Sequence, residues 1–260
     1  DLPATTSFDV AITPIFLSAS YQKLGNSKTY SYGASLGYSN LYLAQKILNF
    51  NTDILNGPGS FNGDANFRIK TKSCGFFKYY TNFDTNQIGV LSESLEPNTD
   101  KNKVQLKGNN IYQNLSFKQK FGRYLLNVGS SYTYNKSDVD FSTLLNDVPR
   151  TTVNSKTTGN YINAKAVVER KLNRISALRG GFEVNNANED SQYGSFRKND
   201  SDLLSAGFVE TDLGFSNQFS AKIGARAENS SYLNHWNFAP RVAIAYRIAK
   251  DFTTSLAYGK

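Results

Sequence analysis

The sequence predicts an all-β chain whose antiparallel strands form part of a transmembrane β-barrel. Three observations predict it. Nearly every segment alternates apolar and polar residues with a period of two, and nothing of comparable length has helical spacing. Short turns alternate with longer polar connections, the hairpin pattern of a barrel with a tight rim and a looped rim. Cations fall on the polar side of their strands, as a lipid-facing surface requires.

The elements follow in order. After a short turn at Leu24–Ser27, Tyr30, Tyr32, Ala34, Leu36 and Tyr38 alternate with Ser31, Gly33, Ser35, Gly37 and Ser39. A polar connection near Asn51–Gly59 leads to Phe61, Ala65, Phe67 and Ile69, set against Asn62, Asp64, Asn66, Arg68 and Lys70. The turn Ser73-Cys74-Gly75 and a connection near Glu96–Lys103 come next. Ile111, Leu115, Phe117 and Phe121 then oppose Tyr112, Asn114, Ser116, Lys118 and Lys120. Across the turn Gly122-Arg123, Tyr124, Leu126, Val128, Tyr132 and Tyr134 oppose Leu125, Asn127, Gly129, Ser131 and Thr133. Lys136–Gly159 reads as the longest connection, with Leu144 and Leu145 in a short helix, a lid or a packed loop.

Ile162, Ala164, Ala166, Val168 and Leu172 oppose Asn163, Lys165, Glu169 and Lys171, and a turn at Leu172–Arg174 leads to Leu178, Phe182 and Val184 against Ala177, Arg179 and Glu183. Asn185–Ser201 and Glu228–Asn237 read as loops. Between them, after the turn Asn217-Gln218, Phe219, Ala221, Ile223 and Ala225 oppose Ser220, Lys222, Gly224 and Arg226. The last hairpin, "NFAPRVAIAYRIAKDFTTSLAYGK", turns at Ala249–Asp251. Val242, Ile244, Tyr246, Ile248, Phe252, Leu256 and Tyr258 form one face, and small residues with Arg247 form the other.

Composition narrows the class. In 260 residues there are 16 Tyr, 18 Phe and 19 Gly, and the mean hydropathy is -0.46. No run of about 20 apolar residues exists, which excludes a helical membrane protein, whereas lumen residues and loops keep a barrel's mean hydropathy low. The formal net charge is +8, yet the basic residues are scattered, with one local cluster in "DKNKVQLK", Asp100–Lys107. A solvated loop is the plain reading there, contact with anionic lipopolysaccharide the sharper one, and no nucleic acid is expected. Cys74 is the single cysteine, so it forms no internal disulfide. Arg170 alone shares a face with Val168 and Leu172, beside a tight turn where it can snorkel. A soluble sandwich would also alternate; the regular sorting of connections argues against one.

About twelve strands are expected, each near the ten residues that cross a bilayer at a tilt. The pattern reaches Lys260 in mid-strand at "LAYGK", without a terminal aromatic residue. A half-barrel leaves two bare edges in hydrocarbon, so the natural chain is expected to continue. The alternative is a self-contained barrel of about twelve strands, such as an autotransporter translocator, a porin or an outer-membrane enzyme.

The segment "FAPRVAIAYRIAKDFTTSLAYGK" resembles the barrel of TonB-dependent outer-membrane receptors, with its Pro-Arg strand, short turn and "LxxxYG" strand. "DLPATTSFDVAITPIFLSASYQK" resembles the first barrel strands of such receptors from Bacteroidetes-type bacteria, and "GNNIYQNLSFKQKFGRYLLNVGSSYTYN" fits that group. The resemblance implies a barrel of about 22 strands plugged by an N-terminal domain. It implies location in the outer membrane of a Gram-negative bacterium and uptake of an iron chelate, cobalamin or a glycan, powered through the TonB complex. On that reading residues 1–260 are one barrel segment, without plug, TonB-box segment or later strands.

No catalytic constellation stands out, and neither an enzyme nor a cofactor is expected. His235 is the only histidine and sits in "LNHWNF" without a nucleophile motif. His235 and Trp236 are the candidate substrate contacts, on an extracellular loop; the bland reading is an aromatic loop rim with Phe238. Glu189 and Asp190 in "NNANEDSQYGS" lack the spacing of a calcium loop, and a solvated loop is expected there.

Overall fold

The computed structural model describes residues 2–41, 53–71, 75–94 and 100–259. Thirteen strands form one antiparallel sheet in strict chain order, each pairing with the next. They are β1 (Ser7–Thr13), β2 (Phe16–Leu24), β3 (Tyr30–Asn40), β4 (Asp53–Lys70), β5 (Phe76–Glu93), β6 (Lys101–Phe121) and β7 (Tyr124–Leu145). Then come β8 (Val148–Lys171), β9 (Ala177–Tyr193), β10 (Phe196–Gly214), β11 (Phe219–Ser230), β12 (His235–Ala249) and β13 (Phe252–Gly259). Among the described residues β1 pairs only with β2 and β13 only with β12, so the sheet is open along both edges. Among the described residues the count is thirteen, in keeping with the about twelve expected.

The all-β expectation holds, and the period-two faces hold with it. Directly opposed residues share a face, and the register carries one apolar surface across the sheet. Phe67, Tyr79 and Leu115 lie in one row, and Phe219 meets Tyr246, Ala221 meets Ile244 and Ile223 meets Val242. Rings meet across strands on this face, as in Phe61 and Phe83 at 5.5 Å between centroids. Gly63, opposite Phe83, makes room for that ring, because a Cβ there would lie 2.4 Å from it.

Among the described residues no second layer covers the apolar face. Ile223 is 45% exposed, Phe252 59% and Leu256 70%, and the only buried apolar residues described are Leu144, Ala206 and Ala239. The accessible surface is 17319 Å², against about 11,400 Å² for a compact water-soluble monomer of 28.9 kDa. A sandwich would bury Ile244, Phe252 and Leu256 against a second sheet; here they face outward. On β6 the outer-face apolar series runs from Phe121 to Ile111. Ten residues at about 3.4 Å, tilted by about 40°, span roughly 26 Å, the height of an outer-membrane apolar band.

Most stretches expected as loops are strand instead, residues 53–59 of the connection near Asn51–Gly59 among them, in β4. Lys136–Gly159 forms the upper halves of β7 and β8, strands of 22 and 24 residues, closed by a two-residue turn. Leu144 and Leu145 therefore end a strand; they form neither helix nor lid. Asn146 and Asp147 have φ of 50° and 60°, the two positive values a type I′ hairpin turn requires. Asn185–Ser201 is likewise β9, β10 and a turn in which Gly194 has φ 57°. Most of Glu228–Asn237 joins β11 and β12, leaving 231–234 as the loop. The physical reason is that Thr, Val, Ser and Asn pair well across strands even where both faces are wet. The hairpins thus stand well above the ten residues a bilayer needs. On the opposite rim the expected turns occur, with Gly122 at φ 60° in the two-residue link from β6 to β7. Ser73 and Cys74 lie outside the described residues, as do parts of the connections expected at Asn51–Gly59 and Glu96–Lys103.

Candidate functional site

The polar face of the sheet is the surface on which chemistry can be built, and the register sorts it into tiers. Nearest the short-turn rim, Lys70, Phe76 and Lys118 lie in one row, and Arg68 and Lys78 in the next. Lys70, Lys78 and Lys118 line a cleft of about 830 Å³ with Thr71, Ser116 and Asn127.

Farther along the same rim, on β8 to β11, the charges neutralise one another. Arg179 is the hub. Its Nε lies 2.7 Å from Glu169, and its Nη1 lies 3.2 Å from Glu210 and 2.7 Å from Asp212. Lys222 reaches Glu210 at 2.9 Å. Arg226 bridges Glu183 at 3.2 Å and Glu228 at 2.8 Å, and Lys165 approaches Glu183 at 3.6 Å. These half-buried side chains hold four strands in register from the inside. Phe208 fills the space above Gly181, with Lys165 5.4 Å from its ring centroid.

Above both charged regions lie rows of amides, hydroxyls and phenols. One row runs Asn66, Tyr80, Asn114, Ser131, Asn163, Asn185; the next runs Asp64, Asn82, Tyr112, Thr133, Tyr161, Ala187. Tyr80 and Tyr112 stand 6.2 Å apart. Ser35 donates to Asp64, Asn110 to Asn135 and Asn163 to Asn185. Tyr161 donates to Glu189 at 2.8 Å. Higher still, the same face turns apolar: Ile88, Leu106 and Val139 form one row and Val90, Val104, Phe141 and Val153 the next.

Of the sequence-derived candidates, His235 opens β12 opposite Ser230 on the polar face. Trp236 pairs with Asn229 on the other face, in line with Phe238 and Val242, and is 67% exposed. The two neighbours therefore point to opposite sides of the sheet. Glu189 and Asp190 separate in the same way; they sit in a strand rather than a loop. Asp190 pairs with Arg197, which donates through Nε at 3.0 Å, and this contact holds its carboxyl below the usual aspartate range. The ion-pair web was missed in the sequence. Its charges alternate correctly along each strand, but which carboxylate meets Arg179 depends on inter-strand register.

The loop at 231–234 is clasped by Asp202. That carboxylate accepts from the Tyr232 backbone N–H at 3.0 Å, from Ser230 Oγ at 2.9 Å and from Ser231 Oγ at 3.2 Å. The Tyr232 N–H is the largest influence holding its pKa below the ordinary aspartate value. A depressed folded-state pKa means the clasp is intact above the unfolded pKa and is lost as pH falls through the folded one. The protection factor of the Tyr232 amide, its exchange relative to the intrinsic rate at each pH, should stay high at neutral pH and fall below pH ~4, the ordinary aspartate range. Asp202→Ala should show the low protection at every pH while leaving the sheet folded; unchanged protection in that variant would contradict the clasp.

An open antiparallel meander with one lipid-like face and one tiered polar face defines a wall segment of a membrane β-barrel. Solved structures agree on the fold. The chain superposes on the ferric yersiniabactin uptake receptor FyuA from Yersinia pestis with a TM-score of 0.54 at 9% identity, covering 98% of this chain and 55% of that one. It superposes on a mutant of the ferric enterobactin receptor PfeA from Pseudomonas aeruginosa with a TM-score of 0.61 at 10% identity, covering 93% and 40%. The chain thus spans about half of each receptor or less. The translocator domain of autotransporter NalP from Neisseria meningitidis gives a TM-score of 0.33, too low to carry an argument. At the sequence level no protein-family model and no curated protein matches.

Proposed function

We propose that this chain is part of the barrel wall of a TonB-dependent receptor in the outer membrane of a Gram-negative bacterium. The protein takes up a scarce small molecule or glycan and binds and passes its ligand rather than transforming it. The observation that carries the reading is the exposed apolar face, continuous over thirteen strands, behind which lies a polar and ion-paired face. Likeness in fold to the ferric yersiniabactin and ferric enterobactin receptors supports the receptor class over other barrels.

The same geometry supports the partners we propose. Each open edge would leave backbone groups bare in hydrocarbon at several kcal/mol apiece, so β1 and β13 pair with further strands of the full protein. The cationic cleft and the amide rows suit a folded plug of the same protein, which the TonB complex acts on, and lipid and lipopolysaccharide surround the outer face. His235, on the polar side at the hairpin rim, is placed to meet the ligand, and Trp236 beside it meets the interface. Membrane fractionation tests the proposal. The full-length protein should partition with outer membranes and migrate faster on gels unheated than boiled. A monomer that stays soluble without detergent would overturn it.

A further inference from the structure

From the short-turn rim up to the row Lys78, Ser116, Gly129, Lys165, Glu183, the polar face carries its charge in two different ways. On β8–β11, Lys165, Lys171, Arg179, Lys222 and Arg226 are matched by Glu169, Glu183, Glu210, Asp212 and Glu228. Opposite signs stand directly across from each other there, as in Glu169 with Arg179 and Asp212 with Lys222. On β4–β6 the same rows hold Arg68, Lys70, Lys78, Lys118 and Lys120, and no carboxylate. The polar faces of β2, β3 and β7 supply none either; the first acids on that side are Asp9 and Asp64, two rows higher, about 13 Å along the strands. Arg68 and Lys78 stand directly opposite each other, a like-charge arrangement that destabilises a sheet. Lys70 and Lys118 flank Phe76 in the next row, roughly 10 Å apart. Among the described residues Lys70, Lys118 and Lys120 make no ion pair, and Lys78 Nζ lies 5.0 Å from the centroid of the Phe76 ring. Beyond the ion-pair web, β12 adds Arg241 and Arg247.

We propose that carboxylates of the plug dock in this cleft, anchoring the plug to the β4–β6 side of the lumen and leaving the β8–β11 side free to part from it. The assignment rests on the reading of the chain as the wall of a plugged barrel. Charge is the first argument. Five cations on one sector need a partner from outside the sheet, whereas the neighbouring sector sums to zero. Placement is the second: these side chains lie on the face away from lipid, where anionic headgroups do not reach. Extent is the third. Arg68 and Lys120 are two strands and two rows apart, about 17 Å between backbones, so a single small oxyanion meets only a few of the five. A folded surface with several acids meets them all. Shape agrees with this: the cleft holds about 830 Å³, and Thr71, Ser116 and Asn127 offer neutral donors to the remaining lone pairs of a docked carboxylate.

Carbodiimide coupling of the full-length protein in detergent tests the site, because it joins an ammonium to a carboxylate only where the two already touch. Peptide mass spectrometry reads the pairs. Lys70, Lys78 and Lys118 should couple to acids of the chain preceding Asp1, whereas Lys165 and Lys222 should couple to Glu183 and Glu210. Lys70→Gln/Lys78→Gln/Lys118→Gln should speed amide exchange across the plug about tenfold, the combined effect of three partly exposed pairs. Lys156→Gln, on the outer face, should leave that exchange unchanged. Coupling of the cleft lysines only to acids within residues 1–260 overturns the proposal, and so does equal coupling of Lys165 and Lys222 to the plug. Cleft lysines that fail to couple and are shielded from acetylation by millimolar inorganic phosphate would belong to a free-anion site, which overturns it as well. The coupling needs no variant, so it decides the matter even if the triple variant fails to fold. A full-length protein soluble without detergent would instead sink the membrane reading, whichever partners the lysines find.

Discussion

Val128→Arg should cost the inserted protein about 2–4 kcal/mol. Val128 stands near the middle of the outer-face series from Tyr124 to Tyr134, opposite Ala166 on β8 and Phe117 on β6. None of these neighbours can pair with a guanidinium, and at this depth neither rim is within reach of an arginine stem. The neighbouring inner-face change Ser131→Arg keeps its charge among Asn114 and Asn163. It should cost roughly 1 kcal/mol or less, as expected where a polar lumen solvates the group. Urea titration of the full-length protein folded into vesicles measures both. The account fails if the two arginines cost the same, or if the inner one costs more.

Arg179→Met should be the most damaging change on the polar face. It removes the one side chain that contacts Glu169, Glu210 and Asp212 together. Lys222 still answers Glu210, but Glu169 and Asp212 lose their cation. Breaking a fully buried pair costs about 3–5 kcal/mol. These groups are partly wet, with side-chain exposures of 19% to 35%, so screening lowers the expectation to about 1–3 kcal/mol. Arg179→Lys should recover only part of that, because a point charge cannot present the fork that reaches three carboxylates. The same vesicle titration reads the result, and a loss below about 0.5 kcal/mol would show that the web is ornamental to stability.

Much of the fold was legible because period-two alternation states directly which side chains share a face. Tyr124 to Tyr134 and Phe219 to Ala225 were read correctly from that alone. The tops of the hairpins were not legible. At Lys136–Gly159 both faces are wet, so alternation fades, and the one remaining signal was the Asn146-Asp147 dipeptide, whose tolerance of positive φ marks a hairpin turn. The switch of Ile88, Val139 and Phe141 to the inner face further disguised the period. The candidate site was legible only in part. His235 and Trp236 open β12 rather than lying on the expected loop, and consecutive strand residues diverge, so one falls on the polar face and the other on the apolar face. The Arg179 web needed register, which no single strand contains.

The decisive measurement is a nitroxide scan of β7 from Leu126 to Thr133 in the full-length protein reconstituted in lipid, with Cys74 first replaced by serine. Labels at Leu126, Val128, Ser130 and Tyr132 should collide readily with dissolved oxygen and hardly with a water-soluble nickel chelate. Labels at Asn127, Gly129, Ser131 and Thr133 should show the reverse or neither. An oxygen profile without period two, or one peaking at Asn127 and Ser131, would contradict the assignment of the apolar face to lipid.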